Sequence, residues 1–277
     1  MILIADSGST HTTWALVDRD CSDVVYCDTT GINPYYQNED EIFAVLAEEF
    51  SMDVSQVKKI YFYGAGCANP EKCTLVKSFL TRHFGISDIE VESDLMAAAR
   101  ALLGRDRGIA AILGTGSNSC YYDGQKIVSN VSPLGFILGD EGSGAVLGRT
   151  LIGDILKKQL PELICNRFFE QYQLSVAEIL ERVYRQPFPN RFLAGFTRFI
   201  ADNIEEAVIA DIVRKGFAAF FVRNIALYPE ASSLPVNLVG SVAYEFRTLL
   251  KEAAATTGFS VGLIMRSPVE GLVAYHL

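Results

Sequence analysis

The chain is poor in the residues that build metal clusters, disulfide frameworks and membrane spans. It has three histidines, His11, His83 and His276, far apart in sequence, and six cysteines with no C-x-x-C pair. No recurring zinc pattern exists, and the cysteines read as reduced cytosolic thiols. The most apolar late stretch, residues 216–228, carries Arg223 in its middle and is too short to cross a bilayer. Residues 1–5 hold no basic segment and meet Asp6 at once, so no signal peptide is expected and the protein is placed in the cytoplasm. Basic residues are outnumbered, 24 Lys and Arg against 33 Asp and Glu, for a net charge of −9. Nucleic acid is a poor partner for such a chain, because phosphate neutralisation needs clustered cations. Nucleotides stay open, since backbone N–H groups hold phosphates without lysine.

What is present is apolar material in an α/β pattern. Hydrophobic residues make up 49% of 277 positions, enough for two ordinary cores. Strands are predicted over residues 2–6, 12–18 and 24–30, then a helix over 39–50 and a strand over 59–63. Pro70 opens a helix to about residue 84, a short strand covers 89–92, and an Ala-rich helix covers 94–103 before Gly104. The pattern then restarts, with strands over 109–113, 118–122 and 125–131. Helices follow over 142–159, 163–172, 176–184, 191–203 and 205–228. Strand 236–239, a helix over 244–256 and a last strand and helix over 260–276 close the chain. Each half opens with three strands and continues with alternating helices and strands. That predicts two α/β domains, residues 1–106 and 107–277, the second with a helical insertion, and a ligand cleft between them.

Five short segments carry candidate chemistry. Asp6-Ser7-Gly8-Ser9-Thr10-His11-Thr12 delivers a carboxylate from an apolar strand to a turn of small hydroxyl residues. Gly8 permits close backbone approach, the N–H groups and hydroxyls suit phosphate oxygens, and Asp6 suits Mg²⁺. An ordinary hairpin rich in small residues reads the same way. Gly114-Thr115-Gly116-Ser117 repeats the strand–turn–strand arrangement at the start of the second half. Leu138-Gly139-Asp140-Glu141-Gly142-Ser143-Gly144 sets adjacent carboxylates between glycines before a helix, for a cleft or for helix capping. Glu92-Ser93-Asp94 lies at a strand-to-helix junction, where Asp94 is either an N-cap or a general base for a substrate hydroxyl. Gly240-Ser241 ends a strand before a helix and suits a nucleoside or plain helix entry. His11, beside the first turn, reads as a strand residue.

In this order, Asp6-x-Gly8-x-Thr10, Asp94, Gly114-Thr115-Gly116-Ser117, Gly139-Asp140-Glu141-Gly142-Ser143 and Gly240-Ser241, the chain resembles the N-acetylglucosamine kinase branch of the BadF/BadG/BcrA/BcrD ATPase family. That family lies within the actin/Hsp70/sugar-kinase superfamily. The resemblance implies two ribonuclease H-like, actin-like ATPase domains of βββαβαβα topology. It implies ATP and Mg²⁺ as cofactors, with Asp6 at the metal. Ser7, Gly8, Ser9, Thr10, Thr12, Gly114, Thr115, Gly116 and Ser117 would face the phosphates, and Gly240 and Ser241 the adenosine. Asp94 would be the base for the 6-hydroxyl of an amino sugar, N-acetylglucosamine foremost, which Asn33, Thr115, Gly135 and Asp140 would bind. Many relatives carry a Trp near that Asn or before Gly-Asp-Glu-Gly; the sole Trp here is Trp14, and Phe136 or Tyr35 stands as the substitute. A homodimer is left open.

Two other readings compete. The same family includes dehydratase activators, which hold an iron–sulfur cluster on cysteines at a dimer interface. Cys67 and Cys73 are the close pair here, without the Cys-Gly-rich context. A non-catalytic sugar or nucleotide sensor would not need Asp6, Asp94 and Asp140 together.

Overall fold

The computed structural model describes residues 1–8, 10–18, 23–35 and 37–277. The chain divides into two compact units. The first comprises Met1–Asp106, Asp123–Ile127 and Ser267–Leu277, the second Arg107–Tyr122 and Val128–Arg266. Residues 267–277, expected in the second domain, thus cluster with the first.

The first unit opens with β1 (Ile2–Ser7), β2 (His11–Val17) and β3 (Val24–Thr30), an antiparallel meander. Then come α1 (Glu39–Glu49), β4 (Lys59–Gly64), α2 (Pro70–Phe84), β5 (Ile89–Ser93) and α3 (Asp94–Leu103). The sheet runs β3-β2-β1-β4-β5, with β4 parallel to β1 and β5 parallel to β4. Local chemistry fixes the helix starts: Asn38 and Glu41 form a capping box on α1, and Asn69 caps α2 just before Pro70. Trp14 on β2 is fully buried. Its ring centroid lies 5.2 Å from Phe50, 5.7 Å from Phe84 and 6.1 Å from Phe62. Its Nε1 donates to Thr29 Oγ1 at 3.0 Å, so the indole's polar atom is satisfied.

The second unit holds β6 (Gly108–Leu113), β7 (Ser117–Tyr122) and β8 (Ile127–Val131), then α4 (Gly135–Leu138), α5 (Gly144–Leu156), α6 (Glu162–Tyr172) and α7 (Val176–Tyr184). It continues through α8 (Pro189–Ala194), α9 (Thr197–Asp202), α10 (Ala207–Arg223), β9 (Val236–Val239), α11 (Ser241–Glu245), α12 (Arg247–Thr257) and β10 (Val261–Met265). Its sheet runs β10-β9-β6-β7-β8. The last helix, α13 (Val269–His276), returns to pack on α3, β1 and β2. The core of the second unit is phenylalanine-rich, with Phe168, Phe196, Phe199, Phe217, Phe220 and Phe221 all buried.

The helix expected over 191–203 is two, α8 and α9. The Leu193 carbonyl lies against Gly148 of α5, where a Cβ would sit 1.9 Å from that oxygen. The chain bends at Gly195-Phe196, and the bend delivers Phe196 and Phe199 to the core. The helix expected to reach residue 228 stops at Arg223 and continues as short 3₁₀ turns.

The Trp14 environment yields a stability test. Trp14→Ala should lower unfolding free energy by about 3–5 kcal/mol, the cost of a large buried aromatic, measured by urea denaturation followed by circular dichroism. A loss below about 1 kcal/mol would contradict this packing.

Candidate active site

In the first unit the candidate residues gather at the carboxyl ends of β1, β4 and β5. Asp6 is the penultimate residue of β1 and pairs in register with Thr13 of β2 and Tyr63 of β4. The next turn is closed by Gly8 N donating to His11 O at 3.0 Å; Ser9, also expected at the phosphates, lies outside the described residues. Ser7 and Thr12 are fully buried and turn inward. Ser7 Oγ accepts the Ile32 N–H at 2.9 Å and lies 2.7 Å from Thr12 Oγ1, which donates to Thr30 O at 3.3 Å. Gly31 N also donates to Thr10 O at 3.1 Å. The two hydroxyls therefore tie the turn to the segment that carries Asn33. Among the described residues of the turn, Thr10 is exposed and Gly8 half-exposed.

Asn33 is buried, and its Oδ1 accepts the Tyr35 N–H at 3.0 Å. Gln37 clasps its backbone from both sides, accepting from Asn33 N at 2.7 Å and donating to Asn33 O at 3.1 Å. Its Nδ2 has no hydrogen-bond partner among the described residues, which leaves a donor for a ligand.

Asp94 is the first residue of α3, but Ser93 is the cap: Ser93 Oγ accepts the Met96 N–H at 3.2 Å. Capping is thus no longer an explanation of Asp94. Its Oδ1 accepts the Leu95 N–H at 2.8 Å, which fixes the carboxylate and leaves Oδ2 available. Burial pushes the Asp94 carboxyl up to about 6, partly offset by backbone N–H groups. Burial, with the Asp94 charge second, pushes Asp6 up to about 7. Neither carboxylate has an ion pair among the described residues. Two half-buried carboxylates, one feeling the other's charge and neither with a cation, are an unfavourable arrangement that a divalent ion relieves. Mg²⁺ fits that donor set, and Asp6 would be the carboxylate to hold it. No cluster of three or more metal-binding side chains exists among the described residues, so water and phosphate oxygens would complete the shell.

In the second unit, residues 114–117 make the tight turn between β6 and β7. Gly114 O and Thr115 O accept the N–H groups of Gly144 and Ala145 at the start of α5, at 2.8 and 3.1 Å. The N–H groups of Thr115 and Gly116 have no partner among the described residues, which leaves two donors of the kind a phosphate oxygen accepts from. Ser117 N donates to Asp140 Oδ1 at 3.3 Å, so Asp140 packs directly on the turn. Burial pushes the Asp140 carboxyl up to about 6, against the lowering effect of that N–H; the Glu141 charge adds to the rise. Gly135 opens α4, and its carbonyl accepts the Gly139 N–H at 2.7 Å. Gly240 has φ +126°, and a Cβ there would lie 2.3 Å from Leu113 O, so only glycine lets the β9–α11 junction lie against the 114–117 turn. Beside it, a cavity of about 300 Å³ is lined by Thr197, Ser241, Glu245, Phe246 and Arg266 among others. Sequence reading reached Ser241 but missed the rest, which come from helices without a local motif.

The fold and these two constellations define the class: an actin-like ATPase fold, the architecture of sugar kinases. A candidate N-acetylglucosamine kinase from Porphyromonas gingivalis is 46% identical, with 100% of this chain and 98% of that one aligned and a TM-score of 0.95. The chain belongs to the sugar-kinase family of that protein. A candidate N-acetylglucosamine kinase from Chromobacterium violaceum shares the fold at 17% identity, covering 100% of this chain and 98% of that chain, TM-score 0.74. So does a ROK family glucokinase from Streptomyces griseus, solved with glucose and AMPPNP, at 15% identity, 99% and 97% coverage and TM-score 0.63. No protein-family model and no curated protein matches the chain. No helix among the described residues is long and apolar enough to cross a membrane.

The Asp6–Asp94 pair sets a pH dependence of stability. A carboxyl raised in the folded state contributes fully below its unfolded value near 3.8, and that contribution is lost as pH rises through about 7. Above that, the metal-free protein carries a penalty on the order of 2–4 kcal/mol at Asp6. Asp6→Asn should therefore raise the melting temperature at pH 8 and leave it nearly unchanged at pH 4. A lower melting temperature at pH 8 would contradict the burial assigned to Asp6.

Proposed function

We propose that this protein transfers the γ-phosphoryl group of ATP to the 6-hydroxyl of an amino sugar, N-acetylglucosamine foremost, as a member of the BadF/BadG/BcrA/BcrD-type N-acetylglucosamine kinase branch. The observation that carries the reading is the Asp94 carboxylate. It is half-buried, fixed through Oδ1 by the Leu95 N–H, with no hydrogen-bond partner on its other oxygen among the described residues, and burial raises it to about 6. A sugar hydroxyl is weakly acidic, and a carboxylate so held orients its oxygen and takes its proton late in transfer. The Porphyromonas gingivalis relative supports the sugar class.

The roles follow from the chemistry each group offers. The sugar O6 bonds to Pγ as the bond from Pγ to the β–γ bridging oxygen breaks; ADP leaves, and the O6 proton passes to Asp94. Asn33 Nδ2 donates to a sugar oxygen, and Asp140 accepts from a sugar hydroxyl, with Thr115 and Gly135 as further contacts. The free N–H groups of Thr115 and Gly116 take phosphate oxygens; in the first unit Gly8 lets the phosphates approach the backbone closely and the exposed Thr10 meets them. Gly240, Ser241 and the adjoining cavity take the nucleoside. Mg²⁺, when bound at Asp6, supplies charge neutralisation of the phosphates. Ser7 and Thr12 shape the turn from inside.

The activator alternative asks for reactive thiolates that two copies can share. Cys67 and Cys120 are buried, and burial pushes both thiols up to about 12. That favours inert structural thiols at these positions.

Asp94→Asn should bind ATP normally yet lose phosphorylation of N-acetylglucosamine by at least about two orders of magnitude, the scale of a positioned acid–base group. An ADP-coupled assay and an ATP titration check this, and near-normal turnover would remove Asp94 from the mechanism. For the unaltered enzyme, kcat/KM should fall as pH drops through about 6, where Asp94 and Asp140 take up protons. A profile flat from pH 5 to 8 would count against both assignments.

A further inference from the structure

Asp140, the proposed sugar-binding carboxylate, stands in an unfavourable backbone conformation. Its φ is +52°, a left-handed value that non-glycine residues adopt rarely and only when neighbours enforce it. The backbone around it is pinned on two sides: Asp140 N donates to Pro133 O at 2.9 Å, and Ser143 N donates to Asp140 O at 3.0 Å. These bonds close the loop but do not anchor it to the rest of the unit. Beside the ties to the 114–117 turn through Asp140 Oδ1 and Gly144 N, a second anchor is the next residue. Glu141 is a carboxylate with 14% of its side chain exposed. Its Oε1 meets Arg223 Nε at 2.5 Å, and its Oε2 accepts from Asn224 Nδ2 at 3.1 Å. Arg223 ends α10 and the buried Asn224 is its C-cap, so the loop is tied to the end of a long helix. Gly142 completes the seat, packing on Phe217 and Phe220 of that same helix.

We propose that Glu141, gripped by Arg223 and Asn224, is a positioning residue that holds Asp140 in its left-handed conformation against the 114–117 turn, and so sets the affinity for the sugar. The inference rests on the reading of Asp140 as a sugar ligand. Glu141 itself does not touch the sugar; it acts through the backbone of its neighbour. Both oxygens of Glu141 are committed to protein donors, which suits an anchor and not a ligand. Arg223 is largely exposed, so its loss costs little packing while it removes one jaw of the clamp.

The test compares Glu141→Gln, Arg223→Gln, the double variant and Lys215→Gln with the unaltered enzyme. Lys215 pairs with Asp211 on the same α10 but lies outside the clamp. Steady-state kinetics with N-acetylglucosamine and ATP are read beside hydrogen–deuterium exchange of residues 133–143. Each clamp variant should raise the sugar KM about tenfold, roughly one charge-assisted hydrogen bond, with kcat and the ATP KM within about twofold. The double variant should be no worse than either single, because the two residues act as one unit. Exchange at residues 139–143 should quicken in the clamp variants and stay unchanged in Lys215→Gln. An unchanged sugar KM, or losses that add in the double variant, would overturn the proposal. If the unaltered enzyme phosphorylates no amino sugar, the kinase reading fails, and exchange alone decides the clamp: faster exchange supports it, and unchanged exchange overturns it.

Discussion

The first unit depends on two half-buried carboxylates, one of which feels the charge of the other. Asp6 and Asp94 are largely shielded from water, without a cationic partner among the described residues, and both are pushed well above the ordinary carboxylate range. Nothing in the packing of the sheet requires this. An asparagine at either place would satisfy the fold at lower cost. The arrangement makes sense as a device that is incomplete without a cation on one carboxylate and a proton donor near the other. It also separates the roles. The backbone N–H of Leu95 fixes Asp94 and lowers its carboxyl against the rise from burial, which suits the proposed base.

On the proposed reading, the second unit holds an anion with few positive charges by using backbone. The carbonyls of Gly114 and Thr115 are spent on the start of α5, while the N–H groups of Thr115 and Gly116 have no partner among the described residues. Gly240 lets a second strand end press against the same turn. Asp140 adds a carboxylate beside that turn, in a left-handed conformation. An acidic protein can bind a nucleotide in this way because hydrogen-bond direction, not net charge, does the selecting.

Much of this was legible in the chain because the relevant signals are local. Strands alternate with helices, Pro70 and Asn69 mark a helix start, and the small-residue turns stand where apolar strands end. The remainder is hidden by distance. Asp94 reads from the chain as a cap candidate, and only the hydrogen bond from Met96 N shows that Ser93 is the cap. Ser7 and Thr12 look like phosphate ligands beside Gly8, yet their hydroxyls face inward to residues 30–32, a contact no local pattern announces. Glu141 and Asn224 are 83 positions apart. The return of α13 to the first unit likewise depends on apolar faces meeting across the chain, and helical periodicity alone does not say which face α13 will meet.

On the proposed mechanism, Asp6 and Asp94 titrate above the usual carboxylate range because each is largely shielded from water. Carboxyl carbon-13 nuclear magnetic resonance, following both residues through pH with and without MgATP, measures it directly. The account predicts midpoints near 7 for Asp6 and near 6 for Asp94 in the free protein. It predicts a marked fall for Asp6 when MgATP is added. Midpoints near 4 in the free protein, or an Asp6 midpoint indifferent to MgATP, would contradict it.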